Sequence, residues 1–127
     1  MSTLQVATIK SASSAPPVFQ NSSGTEKGQL VRAWCTMKGT GTISIHESFN
    51  VSSLTDRTTG TYTVHFTNGF SNNKYVGTGL HSSTSNGISC TSEDPSEGFN
   101  ANDATMRCTL DNALVDPTTC RFMYSGS

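Results

Sequence analysis

Between residues 39 and 70 the chain reads GTGTISIHESFNVSSLTDRTTGTYTVHFTNGF, and apolar residues return there at every second place. A period of two belongs to a β-strand, whose successive side chains point to opposite faces of a sheet. In TYTVHFT the beat sets Tyr62, Val64 and Phe66 on one face and Thr63, His65 and Thr67 on the other. Ile43, Ile45 and Phe49 share one side of the run before it, opposed by Ser44, His46 and Ser48. In LVRAWCTM, Val31, Ala33, Cys35 and Met37 face away from Leu30, Arg32, Trp34 and Thr36. Apolar bulk on both faces predicts a strand covered on both sides. SLTDRTTGT reads as a turn-rich break ending at Gly60, and Asn68-Gly69 and Asn86-Gly87 mark further turns. KYVGTGL, ISCTS, ATMRCTL and TCRFMYS complete a set of six to eight short strands. The expected class is all-β, an antiparallel β-sandwich or barrel with an extended N-terminal arm.

Composition agrees with strands and points to a thin core. Leu, Ile, Val and Phe number only 23 of 127, against 19 Ser and 19 Thr. Disorder would also call for high net charge, and 8 Lys and Arg against 9 Asp and Glu leave −1. A domain of this length folds alone with a lean core, or gains the missing burial from neighbouring subunits. The basic residues are scattered, so no stripe is available to neutralise phosphates and no nucleic-acid partner is expected. No apolar run approaches the ~20 residues of a membrane-spanning helix. MSTLQVATIK has neither a charged start nor a long apolar stretch of the kind that marks export. Residues 1–28 read as an extended arm, with Pro16-Pro17 in its connector, and residues 29–127 as the β domain.

The groups that could carry chemistry have plainer roles. Cys35, Cys90, Cys108 and Cys120 include no Cys-x-x-Cys pair and no nearby histidine, which argues against zinc. Cys35, Cys108 and Cys120 fall on apolar-periodic positions and read as buried free thiols. His46, His65 and His81 read as surface residues, although His46 and His65 could stand side by side on neighbouring strands. EDPSEGFNAND gathers many oxygens without the spacing of a calcium loop. Gly39-Thr40-Gly41 lacks the lysine and helix of a phosphate loop. The expectation is a non-enzyme without cofactor or metal. Trp34, Ile43, Ile45, Tyr62, Val64 and Phe66 are assigned to core or subunit packing.

The ordered run Arg32-Ala33-Trp34, Gly39 to Thr42, Ile43 to Ile45, Asn50 to Ser53, Thr55-Asp56 and Gly60 to Thr67 resembles a segment of bacteriophage virion structural proteins. These are the predicted tail-fibre and capsid-decoration type of marine and cyanobacterial phages. STLQVATIK is similar to the short phrases that open such proteins. The likeness covers a quarter to a third of the chain. It departs where the family places Asn-Gly after the aspartate and this chain has Arg57-Thr58-Thr59. The half carrying Cys90, Cys108 and Cys120 lies outside it. The resemblance implies a capsid decoration (cement) or short fibre subunit, forming a homotrimer that packs on other capsid or tail proteins. It would be assembled in the host cytoplasm and located in the virion, anchored through Leu4, Val6 and Ile9 of the arm. A host-receptor or glycan-binding tail module, using Trp34, Tyr62 and Tyr75 to stack on sugars, is the alternative.

Overall fold

The computed structural model describes residues 5–12, 17, 19–28, 30–82, 88–92 and 98–126. The chain divides into two compact units, Met1–Leu30 and Val31–Ser127. All regular structure among the described residues is β.

In the first unit Phe19–Gln20 (β1) and Glu26–Gly28 (β2) pair antiparallel. Asn21 makes the turn between them. Its Oδ1 accepts from the Ser23 amide at 3.1 Å and the Thr25 amide at 2.8 Å, so the side chain substitutes for turn backbone. Gly24 then closes the turn at φ 76°. The stretch expected to be a plain extended connector therefore contains a small hairpin. Residues 5–12 ahead of it form no strand, and Pro16 and Leu4 lie outside the described residues.

The second unit is one antiparallel sheet. Its strands are Val31–Lys38 (β3), Ser44–Phe49 (β4), Val51–Thr58 (β5), Thr61–Phe66 (β6), Val76–His81 (β7), Ile88–Ser92 (β8), Asp103–Leu110 (β9), Ala113–Leu114 (β10) and Cys120–Ser125 (β11). Their order is β4-β3-β11-β7-β8-β9-β6-β5, with β10 beside β9. The join of β7 to β8 rests on the single pair Gly79–Cys90, and there the sheet folds over. β4, β3, β11 and β7 form one layer of a sandwich, facing β8, β9, β6 and β5. Contacts across the core fix this arrangement. The sulfurs of Cys108 on β9 and Cys120 on β11 lie 3.7 Å apart, and the rings of Phe66 and Tyr124 are 5.1 Å apart.

The sheet's two outermost strands, β4 and β5, are consecutive in the chain, with Asn50 alone between them. Asn50 adopts φ 57°, in the left-handed region that asparagine tolerates. Its Nδ2 donates to the carbonyls of Arg32 at 3.0 Å and Asn68 at 2.9 Å, and its Oδ1 accepts from the Asn68 amide at 2.7 Å. One side chain thus holds the start of β3 to the end of β6 and draws the sheet's two edges together.

Inward positions follow the two-residue beat. Ala33, Cys35 and Met37 of β3, Tyr62, Val64 and Phe66 of β6, Ala104, Met106 and Cys108 of β9, and Cys120, Phe122 and Tyr124 of β11 are all buried. Ile43, Val51, Leu54 and Phe99 pack against them from the margin. At one end the core is aromatic: Phe70 stacks on Tyr75 at 4.0 Å and Tyr75 on Phe99 at 4.9 Å. Gly77 leaves room for this stack, since a Cβ there would stand 2.7 Å from the Phe99 ring. Such ring pairs add about 0.5–1.5 kcal/mol each beyond area burial, which partly offsets the shortage of aliphatic residues.

Three expectations are corrected by the strand geometry. The run Leu54 to Thr58 is strand, and Thr55-Asp56 lies within β5; the turn is Thr59-Gly60 alone. The ladder to β6 steps from Val51–Phe66 to Ser53–His65 and from Asp56–Tyr62 to Thr58–Thr61, and each irregularity breaks the alternation. Phe49 does not share a face with Ile43 and Ile45. The β3–β4 register steps from Thr36–Glu47 to Met37–Ile45, so His46 is an extra residue and the sides exchange beyond it. The outer face of β3, expected to be covered, is open: Trp34 and Thr36 are only half-buried.

The Thr-rich outer face of the other layer is sealed. Thr63 and Thr105 are buried there, and their hydroxyls lie 2.9 Å apart. The Arg57 Nε donates to Thr63 at 3.0 Å, and His65 Nε2 lies 2.8 Å from the Thr55 hydroxyl. The buried hydroxyls of Thr63 and Thr105 are tolerated because each finds a partner in the other.

Candidate functional site

Partners in an antiparallel ladder project to the same face, so register alone builds the open surface of the β4-β3-β11-β7 layer. One row reads Phe49, Trp34, Met123, Thr78 from β4 to β7. The next reads Glu47, Thr36, Arg121, Leu80. Val76 joins beside Ser125. Phe49 is 55% exposed, Met123 45%, Leu80 67% and Val76 69%. A single exposed apolar residue is ordinary, whereas a contiguous set rimmed by charge marks an interaction surface. An open groove of about 410 Å³ runs through it, lined by Trp34, Thr36, Thr78, Leu80, Arg121 and Met123, with Cys35, Gly79 and Phe122 at its floor. Neither Glu47 nor Arg121 forms an ion pair with a described residue.

The residues assigned to packing fall into two groups. Tyr62, Val64 and Phe66 are in the core, and Ile43 and Ile45 are half-buried at its edge. Trp34 lies on the open face. In the arm Val6 is 50% and Ile9 59% exposed. Tyr62 has a polar role that its periodicity does not reveal. Its hydroxyl donates to the Asp116 carboxylate at 2.9 Å and lies 3.1 Å from the Gly39 carbonyl, while Asp116 also accepts from the Gly60 amide at 2.6 Å. Burial, reinforced by Asp116, pushes the Tyr62 phenol well above its ordinary pKa. Burial does the same to Tyr75, whose hydroxyl lies 2.9 Å from the Asn100 carbonyl and 2.8 Å from the Asp103 carbonyl.

The histidines do not meet. His46 is exposed on β4, while His65 on β6 sits beside Thr55, with Asp103 at 3.8 Å. His81 is buried, at 3% exposure, contrary to its reading as a surface residue. It occupies an inward position of β7, with Nε2 2.9 Å from the Thr109 carbonyl. Cys35, Cys108 and Cys120 are buried thiols. Burial, with Cys120 close by, pushes the Cys35 thiol up to about 12. Cys90 stands opposite Cys108 in the β8–β9 register. Of the oxygen-rich loop, Glu93, Asp94 and Glu97 lie outside the described residues. Asn100 Oδ1 is occupied by the amides of Asn102 and Asp103. Among the described residues no group of three or more His, Cys, Asp or Glu is placed to hold a metal ion. No family model, curated protein or solved structure matches this chain.

Proposed function

We propose that this chain is a non-enzymatic structural subunit of a bacteriophage particle, of the capsid-decoration or short-fibre kind, which works by packing against its neighbours. The observation that carries the reading is the open apolar row Phe49, Trp34, Met123 with Leu80 and Val76 beside it. A protein with few large hydrophobes to bury leaves several of them on one flat face, as suits a surface meant to be covered. The likeness of Arg32 to Thr67 to phage virion proteins supplies the setting. The exposed Val6 and Ile9 fit an arm that is received by another virion protein, for example as a strand added to a sheet edge. Tryptic peptides of this chain in purified, nuclease-treated particles, at a copy number that is a multiple of a particle symmetry, are the expected result. Its absence from particles in cells that express it would refute the role.

The second reading, a glycan-binding tail module, is favoured by the groove itself. Trp34 borders it together with Arg121, Thr36 and Thr78, an aromatic face beside hydrogen-bonding groups. Host-derived oligosaccharide that quenches the fluorescence of Trp34 saturably, and no longer does so after Arg121→Ala, would establish it over the first.

A further inference from the structure

The open face has a symmetry that its charges expose. Glu47 and Arg121 are both direct ladder neighbours of Thr36, one on β4 and one on β11, so β3 lies midway between them. Strands lie about 4.8 Å apart, which places an anion and a cation at equal distances on either side of one line. In the adjacent row Phe49 and Met123 flank Trp34 in the same manner. A two-fold axis lying in the plane of contact and running along β3 lays one such face on another. It brings each Glu47 over the partner's Arg121, each Phe49 over the partner's Met123, and Trp34 against its own equivalent. Packed sheets cross at about 30°, and the axis along the bisector accommodates that angle.

We infer that the outer face of the β4-β3-β11-β7 layer binds a second copy of this chain in a two-fold, self-complementary pair. The pairing does not depend on the phage reading, since it follows from register and charge alone. It differs from the three-fold assembly expected from resemblance. A closed ring of three needs two unlike patches on each copy, whereas this face is one patch that matches itself. Two features favour a second copy over a foreign partner. Glu47 and Arg121 lack ion-pair partners within the described chain, and the apolar flank of each half meets an apolar flank of the other. The area sets the strength. About this axis β4, β3 and β11 overlap, and three strands about 4.8 Å apart and about 20 Å long cover roughly 300 Å² per copy, below the usual ~800 Å² of a stable interface. Association is therefore weak when free and is strengthened wherever the subunits are held close together.

Charge exchange tests this. The full chain is examined by sedimentation equilibrium from about 5 to 500 µM at low salt. The emission of its one tryptophan, Trp34, which moves to the blue as the face is covered, is followed in parallel. Glu47→Arg alone and Arg121→Glu alone each set like charges over like and are expected to weaken pairing at least tenfold. The double variant Glu47→Arg/Arg121→Glu restores it to within about threefold. An equal mixture of the two single variants pairs more tightly than either alone, because every contact between unlike variants sets an anion over a cation, and a species no larger than a dimer distinguishes the two-fold contact from a head-to-tail one. Unchanged urea midpoints confirm that the variants fold. A monomer at 500 µM, a trimer, or a dimer that ignores both single variants and shows no gain on mixing would each overturn the inference.

Discussion

The hydroxyl of Tyr62 offers a decisive perturbation, because one oxygen connects three separate turns. Asp116 accepts from Tyr62 at 2.9 Å and from the Gly60 amide at 2.6 Å, and the same hydroxyl reaches the Gly39 carbonyl at 3.1 Å. The Tyr62 side chain is fully buried, so Tyr62→Phe keeps the packing and removes only the oxygen. A hydrogen bond to a charged acceptor contributes about 1.5–3 kcal/mol. Asp116 is exposed and regains water when its partner is lost, which favours the lower end. The expected loss is about 2 kcal/mol, or roughly 8–16 °C in Tm for a domain of this size. Tyr62→Ser, which also empties the site, is expected to cost at least about 3 kcal/mol. Urea unfolding of wild type, Tyr62→Phe, Asp116→Ala and the double variant measures the connection directly. A coupling of about 1 kcal/mol or more between the single changes is expected, since both act on one bond. Strictly additive losses, or a Tyr62→Phe protein within about 0.5 kcal/mol of wild type, would show that the hydroxyl has no structural role.

Gly60→Ala should destabilise by about 3 kcal/mol or more, because φ is +66° and a Cβ would stand 2.7 Å from the carbonyls of Cys108 and Val115; an unchanged urea midpoint would contradict the turn geometry. Alkaline pH should unfold the protein, since the folded-state pKa values of Cys35, Tyr62 and Tyr75 are all raised. The stabilisation is complete below about pH 9 and is lost as pH rises and the unfolded chain gives up protons first. Cys35 alone makes stability fall as pH rises between about 9 and 12. A Cys35→Ala protein with the same pH slope as wild type would refute that assignment. Native protein should label at Cys35, Cys108 and Cys120 at least ~100-fold more slowly than unfolded protein, and equal rates in peptide mapping would contradict their burial. Deleting residues 1–30 should leave the unfolding free energy within about 0.5 kcal/mol, because the core residues all belong to Val31–Ser127; failure to fold would show that the N-terminal unit is integral to the sandwich.

Where the ladder is regular, the strands are legible from the chain alone. β6, β9 and β11 alternate without interruption, as does β3 from Ala33 on, and Tyr62, Val64 and Phe66 point inward as their spacing requires; Val31, expected beside Ala33, lies beyond a step in the β3–β11 ladder and is exposed. Legibility fails at each irregularity. The extra residue His46 reverses the side on which Phe49 emerges, and the steps within β5 hide a strand inside a polar run. Asn21 builds a turn from its own side chain, in a stretch whose prolines and serines suggest only extension. His81 is buried at an inward position of β7 that it shares only with Gly77 and Gly79, so no apolar periodicity in the strand marks that face. The Asn50 clasp and the Asp116 network both join residues far apart in the chain. Local pattern reports the period of an element and says nothing of such partners.

The composition takes on a different meaning once the faces are separated. A chain this rich in threonine suggests a core too thin to stand alone. Yet Thr63 of β6 and Thr105 of β9 are buried and meet each other, and Tyr62, Tyr124, Phe122, Met37 and Met106 fill the core among smaller residues. The shortage of hydrophobes is made sharper by where the remaining ones lie: Phe49, Val76, Leu80 and Met123 are spent on an outer face. Thr-rich strands seal one side of the sandwich with hydroxyl contacts and need no cover there. The apolar side gains nothing from water. Those four residues share the outer face that also carries Glu47 and Arg121, neither of which forms an ion pair with a described residue, and it is this face that the proposed association uses.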